Sequence, residues 1–450
     1  MTKTKLLARV GLVLCVMVIA GCDWSTWGFD AANTRSSGET TISTSNVGSL
    51  SKQWTGKTGW ALTASPVVVN DVAYITSNDG RVAFAHTTLY AFDGKTNCST
   101  APKTCDPVWI ADVGDGNTLT PAVAGGVVYA ASRSKLYAFD AKVSNSNCNN
   151  ATPRICAPMW IANLAPGDAS SPVVADGIVY AHSNTTLYAF DAAGCGGAQI
   201  CNPLWTGSVP DLLSPMPSVA ISGGVVYAPS STFLSAFDAK GVVDCKGTPR
   251  VCTPLWTTAT SDKTATGTTA TVANGTLYTA GSNPHNVVYA FDAAGTKSCG
   301  TTVPKVCKPL WEYPTNMQVS APAIANGFLY VGAPNNGARL LAAFDATGAT
   351  GCNAATPKVC SPLWTSSELG GSATPSAPAV TNGVVFIGSV SDNKIYAFSA
   401  TPTASCTGTA PKTCPALWSQ STNGTVKSSP SISNGSVYVG SSDTSMYVFH

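Results

Sequence analysis

A five-residue pattern recurs eight times along this 450-residue chain, and it constrains the possible folds more than any other feature. In its most regular form the pattern reads Leu-Tyr-Ala-Phe-Asp, and successive copies begin roughly 50 residues apart, a period typical of repeat architectures. The copies are Leu89–Asp93, Leu136–Asp140, Leu187–Asp191, Leu234–Asp238, Val288–Asp292, Leu341–Asp345, Ile395–Ser399 and Met446–His450. The chain therefore consists almost entirely of one repeated structural unit.

Two further signals keep the same period. Each unit contains one tryptophan at an equivalent place: Trp54, Trp109, Trp160, Trp205, Trp256, Trp311, Trp364 and Trp418. Each unit also contains a pair of Asn, Asp or Gly residues between β-branched runs: Asn70-Asp71, Gly125-Gly126, Asp176-Gly177, Gly223-Gly224, Asn274-Gly275, Asn326-Gly327, Asn382-Gly383 and Asn434-Gly435. Such pairs tolerate positive φ and favour the tight turns of β-hairpins.

Each unit is predicted to form four antiparallel strands, which we name A to D in chain order. Strands A and B flank the two-residue turn, strand C is the five-residue pattern, and strand D carries the tryptophan. No helical periodicity of useful length lies between them. Four-stranded units of this size are typical of β-propeller blades. The predicted fold is all-β, a single eight-bladed β-propeller of four-stranded antiparallel blades spanning residues 47–450.

The two ends of the repeat region predict how the ring closes. Met446–His450 is a C strand with no D strand after it, whereas Val47–Trp54 is a D strand with no C strand before it. Pairing these two segments would complete the last blade with an N-terminal strand.

Fourteen of the 16 cysteines form seven local pairs, each between strand C and the tryptophan of strand D. The simplest interpretation is seven disulfides, each closing one C–D loop and contributing about 2 to 2.5 kcal/mol. The predicted pairs are Cys98–Cys105, Cys148–Cys156, Cys195–Cys201, Cys245–Cys252, Cys299–Cys307, Cys352–Cys360 and Cys406–Cys414. A metal site is the weaker alternative, because zinc needs about four closely spaced ligands and the histidines follow no repeat. The eighth blade has no pair because its C and D strands come from opposite ends of the chain.

Residues 1–21 are typical of a bacterial signal peptide. Lys3, Lys5 and Arg9 precede an apolar run over residues 10–20, which is too short to span a bilayer as a helix. A signal peptide and disulfides both indicate an oxidising compartment. Only 11% of residues are charged and the formal net charge is +2, so the chain lacks the basic excess that binding to nucleic acid requires.

The apolar run ends in Ile19-Ala20-Gly21-Cys22, which resembles the bacterial lipobox. The resemblance implies that Cys22 is acylated and anchors the chain to a membrane; the alternative is an ordinary secretory signal followed by an incidental cysteine. Residues 22–46 would then form the lipid anchor and the segment leading to the ring. The expected location is the bacterial cell envelope, on the periplasmic or extracellular side of a membrane. Whether Asp23 acts as a sorting signal stays open.

The repeats and the segment before them resemble the pyrroloquinoline-quinone-type propeller superfamily. Residues 27–35, followed by Ile42, Leu50 and Trp54, are similar to the start of the quinoprotein dehydrogenases. The resemblance implies two possible activities. Quinoprotein dehydrogenases hold pyrroloquinoline quinone and calcium in the central funnel, often under a vicinal disulfide, but this chain has no adjacent cysteines. The second possibility comes from a non-enzymatic branch of the superfamily, which includes the lipoprotein propeller subunit of the β-barrel assembly machinery.

Candidate cofactor-binding residues are few and weakly indicated. Trp60 lies on a D–A connection and could stack on a planar ligand, Asp79 and Arg81 lie in the enlarged first B–C loop, and Arg339 lies in another blade. No serine–histidine–aspartate set, phosphate-binding loop or HExxH motif occurs. No catalytic residue and no metal site are predicted, and no cofactor is assigned beyond the pyrroloquinoline quinone and calcium that the resemblance implies.

The chain is therefore interpreted as a lipid-anchored, monomeric propeller of the cell envelope that acts as a binding or scaffold module. Its partner would be a protein or a small ligand at the funnel face, because function resides in sites and not in folds. The main alternative is a periplasmic dehydrogenase that depends on calcium and pyrroloquinoline quinone. A second alternative is a surface module that binds polysaccharide or acts as an adhesin.

Overall fold

A computed structural model describes residues 23–79, 86–100, 103–116, 118–143, 147–209, 217–230, 233–258, 268–281, 286–315, 318–335, 338–367, 369–370 and 375–450. Eight β-sheets contain nearly all of its regular structure, and this arrangement confirms the eight-bladed propeller. Within each sheet the strands A, B, C and D are antiparallel neighbours in that order. No helix in these ranges is long and apolar enough to cross a membrane.

The short A strands form the inner wall of the ring and the B strands follow them. The A strands are Val67–Val69, Ala122–Ala124, Val173–Ala175, Ala220–Ser222, Thr271–Ala273, Ala323–Ala325, Ala379–Thr381 and Ser431–Ser433. The B strands are Val72–Ser77, Val127–Ala131, Ile178–Ser183, Val225–Pro229, Thr276–Ala280, Phe328–Asn335, Val384–Gly388 and Ser436–Gly440. The Asn, Asp and Gly residues of the connecting turns have positive φ, as primed hairpin turns require.

The five-residue patterns form the C strands and the tryptophans begin or lie within the outer D strands. The C strands are His86–Asp93, Lys135–Asp140, Thr186–Asp191, Leu234–Asp238, Val287–Asp292, Ala338–Asp345, Lys394–Ser399 and Ser445–Phe449. The D strands are Trp109–Asp115, Trp160–Asn163, Trp205–Ser208, Trp256–Thr258, Trp311–Pro314, Trp364–Ser366, Trp418–Ser421 and Lys52–Lys57. Blades are numbered 1 to 8 in this order, so the last D strand belongs to blade 8.

The ring closes as the sequence predicts. Lys52–Lys57 pairs antiparallel with Ser445–Phe449, and Trp54 lies opposite Val448. Ser51 and His450 exchange two backbone hydrogen bonds of 3.0 Å beside this pair. An N-terminal strand therefore completes blade 8, and the two ends of the repeat region are held together.

All seven disulfides predicted from the sequence are present, and each closes a small hairpin between strands C and D. We call these hairpins the clips. The second arm of each clip adds a fifth strand, in parallel, to the D strand of the preceding blade. These arms are Thr104–Cys105, Arg154–Cys156, Ile200–Cys201, Arg250–Cys252, Lys305–Cys307, Lys358–Val359 and Lys412–Cys414. The clips therefore join neighbouring blades, which the sequence did not predict.

The hydrophobic core is divided into clusters that lie between adjacent blades. In one of them Trp109 of blade 1 packs against Tyr74 of its own blade and Phe139 of blade 2. The tyrosine hydroxyls extend this contact to the next blade, since that of Tyr129 donates to the Ala192 carbonyl at 2.8 Å. A blade cannot bury both of its faces alone, so each cluster needs two blades.

The N-terminal segment fills the inner channel, and we call residues 24–37 the plug. Six A strands pair with it through their middle residues: backbone hydrogen bonds of 2.7 to 2.9 Å join Val68 to Trp24, Val123 to Ser25, Ile221 to Ala31, Val272 to Ala32, Ile324 to Thr34, and Val380 to Arg35. Ser36–Ser37 then forms a short parallel strand beside Ala379–Thr381. A single 3-10 turn, Val47–Ser49, leads to the closing D strand.

The alternation of strands gives the ring two different faces. The A–B turns and the clips lie on one, the clip face, while the B–C loops and the D–A connections lie on the other, the funnel face. The plug passes from the clip face at Asp23, whose carboxylate accepts a hydrogen bond from the Asn70 amide at 3.0 Å. It returns to that face near Thr40, whose carbonyl accepts a hydrogen bond from Asn382 at 3.0 Å.

Candidate functional site: the central funnel

The D–A connections of all eight blades surround a central funnel on the funnel face. Its volume is about 390 Å³. Its lining includes Thr63, Thr120, Ser171, Ser218, Thr269, Ser320, Ser376 and Ser429. Trp27, at the turn of the plug, forms the floor. The described lining therefore surrounds a depression whose inner end is closed by the plug residue Trp27.

Much of the hydroxyl lining is used to hold the blades together. The Ser65 amide donates to the Thr120 hydroxyl at 3.0 Å, and the Thr120 amide donates to the Ser171 hydroxyl at 3.0 Å. On the other side the Ser429 amide donates to the Ser65 hydroxyl at 3.0 Å. These hydroxyl oxygens accept backbone hydrogen bonds across blade boundaries, and the side chains of Thr120 and Ser171 also line the funnel.

Below the floor lies Arg35, a fully buried guanidinium that holds the plug in place. Its Nε donates to the Pro378 carbonyl at 2.6 Å, its Nη1 donates to the Trp27 carbonyl at 2.7 Å, and its Nη2 donates to the Pro430 carbonyl at 3.4 Å. The guanidinium lies 4.3 Å from the ring centre of Trp27 and 5.7 Å from that of Trp24. Burial lowers the pKa of Arg35 to about 9, so the side chain stays charged at neutral pH.

The chemistry of the described funnel lining does not match the cofactor that the family resemblance implies. Pyrroloquinoline quinone is a polyanion, and calcium takes six to eight oxygen ligands that usually include carboxylates. The described residues lining the funnel include one charged side chain, Lys427, and no carboxylate. Within the described ranges no three His, Cys, Asp or Glu side chains are grouped so that they could hold a metal ion. The described part of the funnel therefore does not fit a quinone–calcium pair.

Two of the candidates from the sequence, Trp60 and Asp79, lie outside the described lining of the funnel. Trp60 is 63% exposed on the blade 1 D–A connection. Asp79 lies beside it, because its carboxylate accepts a hydrogen bond from the Gly59 amide at 2.8 Å and another from the Tyr90 hydroxyl. Arg339 lies in the C strand of blade 6, opposite Pro334 in strand B. Trp60 and Asp79 are thus brought together, and their role in ligand binding stays a prediction.

Two predicted positions, Arg81 and Cys22, and the signal peptide lie outside the described residues.

The aspartates of the B–C loops have a repeated structural contact. The C-strand tyrosines Tyr396 and Tyr447 donate to Asp392 and Asp443, as Tyr90 does to Asp79. These carboxylates therefore serve blade geometry. The plug residues Trp27, which forms the floor, and Arg35, which lies below it, were not singled out from the sequence as site residues, because a non-repeating segment carries no period.

A larger cavity of about 960 Å³ opens on the clip face between blades 1 and 2. It is lined by Asp23, Tyr74, Trp109 and Val143, among others. Here the Tyr74 hydroxyl lies 3.5 Å from the Ala141 carbonyl, whereas the equivalent distances in blades 2 to 6 are 2.8 to 3.0 Å. The C–D loop of blade 2 is therefore less tightly packed than its equivalents.

Comparison with solved structures supports this description of the fold. BamB from Moraxella catarrhalis is 14% identical, with a TM-score of 0.58, over 89% of this chain and 97% of that one. Quinohemoprotein alcohol dehydrogenase from Comamonas testosteroni is 15% identical, with a TM-score of 0.62, over 96% of this chain and 81% of that one. A europium-containing methanol dehydrogenase is 13% identical, with a TM-score of 0.62, over 96% and 98% of the two chains. At these identities the likeness is one of fold.

The fold and its repeats define the class as an eight-bladed propeller of the quinoprotein-like type. The family model described as outer membrane protein assembly factor BamB matches residues 34–195 and 108–350, and the chain belongs to that family of pyrroloquinoline-quinone-like repeat proteins. No curated protein sequence matches the chain. Because the structural neighbours include both enzymes and non-enzymes, the fold leaves the activity open.

Proposed function

We propose that this chain is a protein-binding module of the bacterial cell envelope, anchored through a lipid on Cys22 and presenting its funnel face to a partner. One observation carries the proposal: the plug closes the channel and leaves a funnel whose described lining offers hydroxyls, one lysine and no carboxylate. Membership of a family described as an outer membrane protein assembly factor supports it. The principal alternative is a quinone-dependent dehydrogenase.

The decisive experiment for the alternative is a cofactor titration. The purified chain without its signal peptide is mixed with calcium and pyrroloquinoline quinone, and binding is followed by calorimetry and by dye-linked oxidation of alcohols and sugars. We expect no stoichiometric binding and no dye reduction. Stoichiometric binding together with turnover would overturn the scaffold proposal.

The binding face is tested by photo-crosslinking in intact cells. A photoreactive amino acid replaces Gln318 or Lys427 in the funnel lining, and a matched control replaces Val242, which is 63% exposed on the clip face. We expect discrete protein adducts from the two funnel positions and none from the control. Adducts from Val242 alone would show that the partner binds the clip face, which would contradict the proposed binding at the funnel. Retention on a polysaccharide column without protein adducts would favour the polysaccharide-binding alternative.

The anchor is tested separately with Cys22→Ser. A lipid on this cysteine predicts incorporation of labelled palmitate and recovery of the chain with membranes, both lost in the variant. Equal recovery of both chains in the soluble fraction would rule out the anchor without bearing on the funnel.

A further inference from the structure

Seven of the eight D strands carry a clip arm on their outer edge, and the exception is Trp418–Ser421 of blade 7. Each arm comes from the C–D loop of the following blade, and in blade 8 the C and D strands, Ser445–Phe449 and Lys52–Lys57, are not joined by such a loop. In its sheet the fifth strand is Ser36–Ser37, which pairs with the inner strand instead. Among the described residues no strand pairs with the outer edge of Trp418–Ser421.

The clipped blades show which backbone groups this edge leaves available. In blade 8 the residue after the tryptophan, Thr55, donates its amide to the Lys103 carbonyl of a clip at 3.0 Å. In blade 5 the equivalent Glu312 accepts from the Cys360 amide at 2.8 Å. In blade 6 the third residue after the tryptophan, Ser367, donates to the Cys414 carbonyl at 2.8 Å. The first and third residues after each tryptophan thus direct their backbone groups outward.

In blade 7 those residues are Ser419 and Ser421, and both are exposed. The N-terminal segment reaches this region but does not supply a strand. It places the Leu50 carbonyl 2.9 Å from the Trp418 indole nitrogen, where a C–D loop alanine carbonyl lies in blades 3 to 5. The indole is therefore covered, while no described part of the chain pairs with the strand edge beside it. An open edge is a template for pairing with another chain.

We infer that the outer edge of Trp418–Ser421 binds an extended segment of a partner polypeptide, which adds to blade 7 as a parallel outer strand beside strand D. The inference deepens the protein-binding function proposed above by naming a second contact and its kind of partner. The chain's own clips define the chemistry of that segment, because they occupy the equivalent edge in seven blades.

In five clips a basic residue lies opposite the tryptophan, a β-branched residue follows it and a cysteine comes next. The pairs that establish this register are Arg154 with Trp109, Arg250 with Trp205, Lys305 with Trp256, Lys358 with Trp311, and Lys412 with Trp364. The partner segment is therefore expected to read basic, β-branched, small. The main-chain hydrogen bonds would supply the affinity, and the basic residue would bind a loop of the partner's own hairpin, as Lys358 Nζ binds the Gly348 carbonyl at 2.9 Å.

The probe is a synthetic peptide with the sequence of residues 351–362, closed by its own disulfide so that the arm is preorganised. It is added to the purified chain without its signal peptide, and amide hydrogen exchange is followed. We expect slower exchange at Ser419 and Ser421 and unchanged exchange in the other D strands. Absence of protection at saturating peptide would overturn the inference.

A matched pair of variants tests the edge itself. Ser419→Pro removes the outward amide, and proline is tolerated on an edge strand whose N–H faces solvent. It should melt as the wild type does and bind the peptide about tenfold more weakly, the effect of roughly one lost hydrogen bond. Ser419→Thr keeps the amide and should bind normally. Equal binding by both variants would refute strand addition.

A second copy of the chain is the competing occupant. Sedimentation of the chain at increasing concentration, without peptide, distinguishes the two. If a dimer forms and protects Ser419 and Ser421, the edge serves self-association and the partner inference is wrong. Cofactor binding with turnover would instead overturn the proposed function while leaving the edge result intact, so the two failures can be told apart.

Discussion

At the scale of single residues, one position in the C–D loop shows how much the blade depends on glycine. The third residue after the C-strand aspartate is Gly194, Gly241, Gly295 or Gly348 in blades 3 to 6, each with positive φ. A Cβ at Gly295 would lie 2.3 Å from the Trp256 ring. Blade 2 has Val143 at this position with φ of 54°. A β-branched residue is strained in that conformation, and the clip-face cavity opens beside it.

We predict that Val143→Gly stabilises the protein. The change relieves a left-handed conformation that costs about 1 to 3 kcal/mol in a non-glycine residue, less the entropy that glycine loses on folding. The net gain should be about 1 kcal/mol in denaturant unfolding. The matched reverse change, Gly295→Val, should destabilise by more than that gain, because its side chain meets Trp256. A neutral Gly295→Val would show that the loop can move away without loss.

Buried His182 provides the residue-scale pH prediction. Its side chain is fully buried in strand B of blade 3, and burial lowers its pKa from 6.5 to about 4. Between these values the unfolded chain binds a proton that the folded chain does not, so stability falls as the pH drops through this window. The loss from this group between pH 7 and 4.5 should be about 2 kcal/mol.

The measurement is denaturant unfolding at several pH values for the wild type and His182→Leu. The leucine variant should show a shallower loss of stability between pH 6.5 and 4, whatever its stability at pH 7. If both proteins lose stability in parallel, the loss of stability at acid pH comes from carboxylates and not from this histidine.

At the scale of the elements, the clip is the unit that joins blades. Its disulfide closes a hairpin in one blade, while its second arm pairs with the D strand of the blade before it. A disulfide within one blade therefore also holds a strand against the preceding blade. The arm also carries a basic residue that binds the loop it closes, as Lys358 Nζ does at 2.9 Å from the Gly348 carbonyl.

We predict that Cys352→Ser combined with Cys360→Ser costs about 2 to 2.5 kcal/mol. It should also speed amide exchange in Trp311–Pro314, the D strand of blade 5, because the arm that covers this strand is loosened. The control replaces Cys406 and Cys414 in the same way, and the faster amide exchange should then appear in Trp364–Ser366, the D strand of blade 6. Faster exchange confined to the mutated blade in both variants would contradict the inter-blade role.

The strands themselves could be predicted from the sequence because each rests on a signal repeated eight times. The pairing of each clip arm with the neighbouring blade could not be predicted, because an arm such as Lys358–Val359 has only two residues and no period of its own. The plug was missed for a related reason: Trp24 and Arg35 are fully buried, yet they lie in a segment without alternation or repeat. The weak candidates Trp60 and Asp79 were placed in the right loops, but the floor residue Trp27 was not foreseen.

At the scale of the whole molecule, the plug ties most of the blades to one segment of chain. Six A strands bond to its backbone and Arg35 adds contacts to blades 7 and 8. A propeller closed only at its rim would rely on one strand pair, Lys52–Lys57 with Ser445–Phe449. Here the ring is held both at its closure and along its axis.

We predict that Arg35→Ala destabilises the whole ring by about 3 kcal/mol, because it leaves buried carbonyls unpaired and opens a cavity beside two indoles. The stability of Arg35→Lys should lie between that of Arg35→Ala and that of the wild type, because lysine keeps the charge but lacks the planar guanidinium with its several donors. Denaturant unfolding followed by tryptophan fluorescence measures both. An unchanged midpoint for Arg35→Ala would mean that the plug contributes nothing to ring stability.

The path of the plug also sets an orientation. Asp23 is bound to an A–B turn, so the chain emerges on the clip face and not on the funnel face. A lipid on the adjacent Cys22 would draw the clips toward the bilayer surface and turn the mouth of the funnel toward the aqueous compartment. A partner would then approach the funnel from the side away from the membrane, while the open edge of blade 7, on the circumference, would be reached laterally.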